Sequence, residues 1–286
     1  MPILFEQIET LAKELGFSAA GHAPANELEN EQERYMESMG KGYFANLGYL
    51  ERNLEKRFNP QLLVEGAKSV LVFLAPYGSL QGGNDGYIDT TLSGKYKVAQ
   101  YALGEDYHTV IKAKLNEILS HMQQLDPSIK GRVFTDTAPV LERAWAVRAG
   151  LGFIGKSNFL ISRECGIRNF IGVIICNWEA DQNDCAPTDL YKKYCGSCTK
   201  CLEACPTGAL CAPYTIDARK CTSYLTIEDK EASMPQNIEK SGERGGWIFG
   251  CDACMNACPW NSRNKEGWPE FQQKEKPLPI THLRRR

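Results

Sequence analysis

Hydrophobic spacing divides this chain into two parts. In MPILFEQIETLAKELG, Leu4, Ile8, Leu11 and Leu15 share one stripe while Glu6, Glu9 and Lys13 lie off it, which predicts an amphipathic helix ended by Gly16. SVLVFLAPY (69–77) is an unbroken β-branched and aromatic run and predicts a buried strand. Helical periodicity returns from Asp106 to Leu125 through Val110, Ile111, Leu115, Ile118 and Leu119. RVFTD (132–136) reads as a short strand, APVLERAWAVRAG (138–150) as a helix and FIGVIIC (170–176) as a second buried strand. Helices interspersed with strands predict an α+β protein whose N-terminal part is a mixed α/β sheet domain. From about Asp181 the chain turns to short segments rich in Cys, Pro and Gly, so a boundary falls within 180–190, giving units at 1–185 and 186–286.

Composition narrows the classes. The chain has 286 residues, 43% hydrophobic and 24% charged, which suits a folded soluble protein of one or two domains. A net charge of −2 argues against a wholly basic surface but allows a local basic patch. No apolar run reaches the ~18 residues of a membrane span. The first helix has no basic start and no uninterrupted apolar core, so it is not a signal peptide, and a cytoplasmic location is expected. In a reducing compartment, the 12 cysteines are expected to be metal ligands rather than disulfides.

Eight of those cysteines form a C-terminal block. Cys195, Cys198, Cys201 and Cys205, followed by Pro206, give C-x2-C-x2-C-x3-C-P, the bacterial ferredoxin run. Three thiolates on a tight loop cover one cubane, and the fourth reaches the other cluster. The required second run is Cys251, Cys254, Cys258 and Pro259, with Cys221 upstream completing the set. One [4Fe-4S] cluster is therefore expected on Cys195, Cys198, Cys201 and Cys258, and another on Cys205, Cys221, Cys251 and Cys254. Paired zinc sites are the competing reading, but zinc does not need the third cysteine or the repeated C-x3-C-P ending. Cys165, Cys176, Cys185 and Cys211 remain and are read as structural thiols.

GLGFIGKS (150–157) fits both G-x-G-x-x-G and G-x-x-x-x-G-K-S. Phosphate binding by either motif needs a strand before the glycines and a helix after. Here VLERAWAVRA before it is helical and NFLIS after it is strand-like. The context is inverted, and a glycine turn at a helix end is the plain reading.

TDTAPVLERAWAVRAGLGFIGKS (135–157), CPTGAL (205–210), CTSYLTIE (221–228) and GCDACMNACPWN (250–261) together resemble the epoxyqueuosine reductase family. YLERNLEKRFNPQLLVEGAKSV (49–70) and QYALGEDYH (100–108) extend the resemblance across roughly residues 1–262. It implies a base-off cobalamin held between the N-terminal sheet domain and a two-cluster ferredoxin-like domain. The implied substrate is a tRNA anticodon stem-loop carrying epoxyqueuosine at the wobble position. Two electrons and two protons convert the epoxide to an alkene and release water, with an external low-potential donor supplying the electrons to a monomeric enzyme.

The family's proton donor matches Asp136. A free Asp with a pKa near 3.9 is protonated only about one part in a thousand at neutral pH. A donor role therefore requires burial or a neighbouring charge that raises its pKa; a plain helix N-cap is the competing role. The resemblance also places Arg57, Tyr101, Asp136 itself, Lys156, Asn158, Ser223 and Tyr224 around the corrin. Arg163, Arg168, Lys192, Lys193 and Arg219 are candidates for tRNA phosphates. At CGIRNFIGVI (165–174) the chain departs from the family: Ile167 and Arg168 replace part of a Gly-Ser-aromatic stretch, and Val173 replaces a glutamate. Two other functions stay in view. One is a paralogous reductase with the same cofactors and another, small-molecule, substrate. The other is a non-catalytic ferredoxin-type electron carrier, against which the long N-terminal domain weighs.

Overall fold

A computed structural model describes residues 3–78, 86–87, 96–179, 194–229 and 233–272. Strands β1 (Ala19–Pro24), β2 (Ser69–Pro76), β3 (Gly131–Phe134) and β4 (Asn169–Cys176) form an antiparallel sheet in the order β1-β2-β4-β3. The principal helices beside it are α1 (Phe5–Glu14), α2 (Glu29–Gly40), α3 (Tyr107–Leu125) and α4 (Glu142–Arg148).

The unbroken apolar run of β2 has a direct cause. Leu71, Phe73 and Ala75 share a cluster with Ile8 and Ala12 of α1 and with Ile111, Leu115, Ile118 and Met122 of α3. Val70, Val72 and Leu74 belong to a second cluster with Trp145, Ala146 and Val147 of α4. Successive side chains of a strand point to opposite faces, so a strand covered on both sides must be apolar at every position. Truncating the 1% exposed Trp145 to Ala would cost about 3–5 kcal/mol by opening the second cluster.

Helix α4 is shorter than its periodicity predicts. It starts at Glu142 because Thr135–Val140 turns tightly, with Thr137 N donating to Thr135 O (2.7 Å) and Val140 N to Ala138 O (2.8 Å). Leu141, not Asp136, occupies the N-cap position. Asp106 does cap α3, accepting the His108 N–H at 3.0 Å. That cap places Tyr107 and His108 in the first turn of α3.

Beyond residue 194, short helices Lys200–Glu203 and Ala253–Asn256 carry the two cysteine motifs and pack on each other. Trp247–Phe249 runs parallel to Lys97–Val98, and Val98, Ala102, Ile248 and Phe249 form a third cluster. The chain then returns to the sheet, where Trp268 Nε1 donates to Gly16 O at 2.6 Å. The segment around residue 185, including Cys185, Lys192, Lys193 and the expected boundary, lies outside the described residues.

Candidate active site and cysteine cavities

Asp136 follows β3 with φ +56°, a left-handed conformation uncommon for a residue with a side chain. Two interactions hold it. Thr135 Oγ1 donates to Ile171 O of β4 at 3.0 Å, and the Asp136 backbone N–H donates to Glu142 Oε1 at the start of α4. The carboxylate accepts a hydrogen bond from the Tyr107 hydroxyl and lies 3.5 Å from His108 Nε2. On the other side of that imidazole, Nδ1 lies 2.8 Å from Asp106 Oδ1. His108 thus bridges two carboxylates. Tyr107 is sandwiched between His108 and Phe170, with ring centroids 4.0 and 4.3 Å away.

Protonation in this cluster differs from the sequence expectation. The His108 hydrogen bond, helped by Tyr107, outweighs burial and holds the Asp136 carboxyl below its usual range. A carboxylate so stabilised is not by itself an acid at neutral pH. Its neighbours hold the protons instead. Hydrogen bonding to Asp136, with a further contribution from Asp106, raises His108. Burial and the Asp136 charge push Tyr107 upward. Burial first, then the same charge, raise Glu142 to about 8. The Asp136 side chain is nevertheless 61% exposed, so this crowded group faces solvent. Tyr49 and Glu228 also sense its charge, and burial with the Glu228 and Asp136 charges takes Tyr49 to about 12.

The cysteines are grouped in space. Cys195, Cys198, Cys201 and Cys258 line one cavity of about 140 Å³ with Lys156, Tyr194 and Trp260. Burial and the charges of Cys195, Cys201 and Cys198 raise Cys258 to about 11. Cys251 is raised to about 12 by burial together with Cys221 and Cys205, and Cys254 feels Cys251, Cys221 and Cys205. Cys205 differs: burial pushes it up, but backbone N–H groups of Leu210, Thr207 and Ala209 outweigh burial and lower it. Ala209 N lies 3.2 Å from its sulfur. All eleven described cysteines are free thiols. Cys165 and Cys176 are buried as expected, whereas Cys211 is exposed.

The remaining candidates disperse. Arg57 is buried, donates through Nη2 to Tyr49 O at 2.5 Å, and leaves its Nε buried without a hydrogen-bond partner. Tyr101 packs edge-on to Tyr107 at 6.3 Å and lies against Gly250, where an added Cβ would come within 3.2 Å of its ring. Asn158, itself left-handed, accepts a 2.5 Å hydrogen bond from Arg143, whose charge also reaches Asp136. Ser223 precedes a π-helical turn, Tyr224–Glu228. Within that turn, buried Tyr224 accepts the Asn46 N–H at 3.4 Å. Lys156 donates through its ammonium to the first cysteine loop, to Gly196 O (2.7 Å) and Cys198 O (2.9 Å).

Among the phosphate candidates, Arg163 is exposed beside Tyr194, and Arg219 forms a two-pronged pair with Asp217 at 2.8 Å for each contact. Arg168 is a correction. It is buried and paired with Asp252, which removes it from any nucleic-acid surface. The GLGFIGKS segment is a helix end leading into a hairpin, Phe153–Ile154 against Leu160–Ile161. An added Cβ at Gly152 would meet Ile161 O at 2.3 Å, so hairpin packing explains that glycine.

A family model for a 4Fe-4S double cluster binding domain matches residues 194–261, and one for epoxyqueuosine reductase QueG, DUF1730, matches residues 57–137. The epoxyqueuosine reductase of Cyclobacterium marinum is 41% identical over 258 residues, covering 90% of this chain and 79% of the relative. The chain belongs to the epoxyqueuosine reductase family. A crystal structure of an epoxyqueuosine reductase with an epoxyqueuosine-modified tRNA-Tyr stem-loop matches with TM-score 0.78 and 27% identity, covering 94% of this chain and 68% of that one. A reductive dehalogenase structure described in terms of B12-dependent dehalogenation shares the fold, with TM-score 0.51 at 18% identity and 93% and 32% coverage.

Within this epoxyqueuosine reductase family member, sequence reasoning missed Tyr107, His108 and Glu142 as neighbours of Asp136. QYALGEDYH was recognisable as a family segment, and its consecutive Asp, Tyr and His supply the titratable groups. Glu142 is six residues beyond Asp136 in the family motif.

Proposed function

We propose that this protein reduces epoxyqueuosine to queuosine at the wobble position of a tRNA anticodon stem-loop. The observation that carries this reading is the Asp136 cluster, a solvent-exposed carboxylate in contact with proton-bearing Tyr107 and His108. Family membership supports the reaction class. Opening the epoxide leaves an alkoxide, and departure of the resulting hydroxyl as water leaves the alkene. The balance is two electrons and two protons, so an acid at the site is a chemical requirement.

In this reading residues 1–185 form the cofactor-binding and catalytic unit and residues 186–286 the cluster unit. Cys195, Cys198, Cys201 and Cys258 hold one [4Fe-4S] cluster, and Cys205, Cys221, Cys251 and Cys254 hold the other. The first set lines a cavity that suits a cubane, the second set's thiols raise one another's pKa, and the Ala209 N–H to Cys205 sulfur contact is a common way to stabilise a cluster thiolate. Among the described residues, no three Cys, His, Asp or Glu side chains converge as a single metal ion requires, which favours clusters over zinc.

Several side chains around Asp136 suit a large amide-bearing cofactor. Arg57 keeps a buried, unpartnered Nε, while Tyr101 and Asn158 stand near the Asp136 side. These residues, with Ser223 and Tyr224, would hold base-off cobalamin, a reading also favoured by the fold shared with the B12-dependent dehalogenase. Bound cobalamin supplies a reduced cobalt nucleophile. Asp136 passes protons to the substrate oxygen, His108 holds the proton to be passed, Asp106 orients His108, and Tyr107 fixes the carboxylate. A soluble, cytoplasmic monomer and an external low-potential donor belong to the same reading; among the described residues, no helix is long and apolar enough to cross a membrane.

Anaerobically reconstituted protein should bind cobalamin and convert an epoxyqueuosine stem-loop to queuosine with a chemical reductant. Cobalamin and clusters without conversion would favour a paralogue with another substrate. Clusters without cobalamin would favour an electron carrier.

A further inference from the structure

The segment that departs from the family pattern, CGIRNFIGVI, places a cation in the interior. Arg168 and Asp252 form an ion pair at 3.3 Å, with side chains 8% and 4% exposed. The second guanidinium nitrogen donates to Asn256 Oδ1. Asp252 Oδ2 also accepts the Gln100 N–H at 2.8 Å. The backbone around Arg168 is fixed as well: Ile167 N and Arg168 N donate to Asn264 Oδ1 at 3.0 and 3.2 Å, and Tyr77 N donates to Arg168 O at 3.1 Å. Strand β4 is thereby tied to the Cys251–Cys254 loop, since Asp252 lies between those two cysteines.

We propose that Arg168 is a positioning residue that offsets the Asp252 charge and thereby sets the reduction potential of the cluster on Cys205, Cys221, Cys251 and Cys254. The inference rests on the proposed ligand assignment. Reduction adds one negative charge to the cluster, so a nearby cation favours it and a nearby anion opposes it. Buried charges are weakly screened, and removing one partner of a buried pair leaves the other uncompensated. An exposed Arg side chain would be screened and have little influence. A buried, hydrogen-bonded one has a fixed position and a lasting effect.

The test is redox titration of the reconstituted full chain, followed by electron paramagnetic resonance and accompanied by iron analysis. Arg168→Met should disfavour reduction of this cluster by about tenfold, which is about 59 mV more negative for a one-electron couple. Asp252→Asn keeps the acceptor for Gln100 N and should move the potential in the opposite direction. Combining the two should bring it back near wild type, and Arg168→Lys should remain near wild type. A merely structural clamp predicts iron loss or lower stability in both single variants with no opposed shifts, and that result overturns the proposal. If Arg168→Met loses the cluster, Asp252→Asn decides the matter: a positive shift supports the charge role and an unchanged potential overturns it. A wild-type chain with about four irons would instead refute the two-cluster assignment on which the inference rests.

Discussion

Glu142 accepts the backbone N–H of Asp136, so the two acids of TDTAPVLE meet on one turn with opposite protonation. Asp136 is kept ionised by donors at its carboxylate. Glu142, half-buried beside that charge, keeps its proton to about pH 8. The contact also anchors a left-handed aspartate at the site.

This pairing predicts a stability profile. The ordinary value for Glu142 is 4.5 and the folded value about 8. Between them the unfolded chain releases the proton while the folded chain retains it, so stability falls as pH rises through that window. Glu142→Gln keeps an acceptor for the Asp136 N–H and should flatten this fall, gaining on the order of 1–3 kcal/mol near pH 8. Denaturant titrations at pH 5 and pH 8 check it; equal pH dependence in both proteins would contradict the assignment.

His108 predicts a kinetic profile. Its bonds to Asp136 and Asp106 raise its pKa, so it stays protonated above its ordinary value of 6.5, and turnover should decline as pH passes the raised value. His108→Gln should remove that decline and lower the neutral-pH rate by roughly 10²-fold. An unchanged pH–rate profile would exclude His108 as the proton reservoir.

Asp136→Asn should still bind cobalamin, because the carboxylate is assigned to proton transfer, yet lose roughly 10²–10⁴-fold in turnover. Cobalamin absorbance and single-turnover rates separate the two effects. Wild-type turnover would refute the proton-transfer role.

Crossed cysteine ligation predicts that Cys258→Ser damages the cluster of the first motif although Cys258 belongs to the second. Iron should drop from about eight to about four per chain, with the surviving signal from the Cys205, Cys221, Cys251 and Cys254 site. Retention of the first cluster and loss of the second would invert the assignment.

These predictions draw unequally on sequence and structure. Cysteine spacing marks a double-cluster domain because a short loop can aim three sulfurs one way and the fourth another. The apolar run of β2 likewise announces a strand covered on both faces. Asp136 was legible through its motif, but its protonation was not. That depends on Tyr107 and His108, which arrive from the first turn of α3, 29 and 28 residues upstream. Arg168 misleads for the same reason: composition marks it as a surface cation, and only tertiary packing reveals Asp252 beside it. Lys156 sits in a family motif, but its ammonium bonds the carbonyls of the first cysteine loop.

The most direct test of the account is a single-turnover reaction. Anaerobically reconstituted protein carrying clusters and cobalamin is mixed with an epoxyqueuosine-bearing anticodon stem-loop and a low-potential chemical reductant, and the nucleosides are then analysed. The account predicts queuosine, formed with two electrons consumed per product and nearly abolished by Asp136→Asn. Intact epoxyqueuosine in the presence of both clusters and bound cobalamin would contradict it.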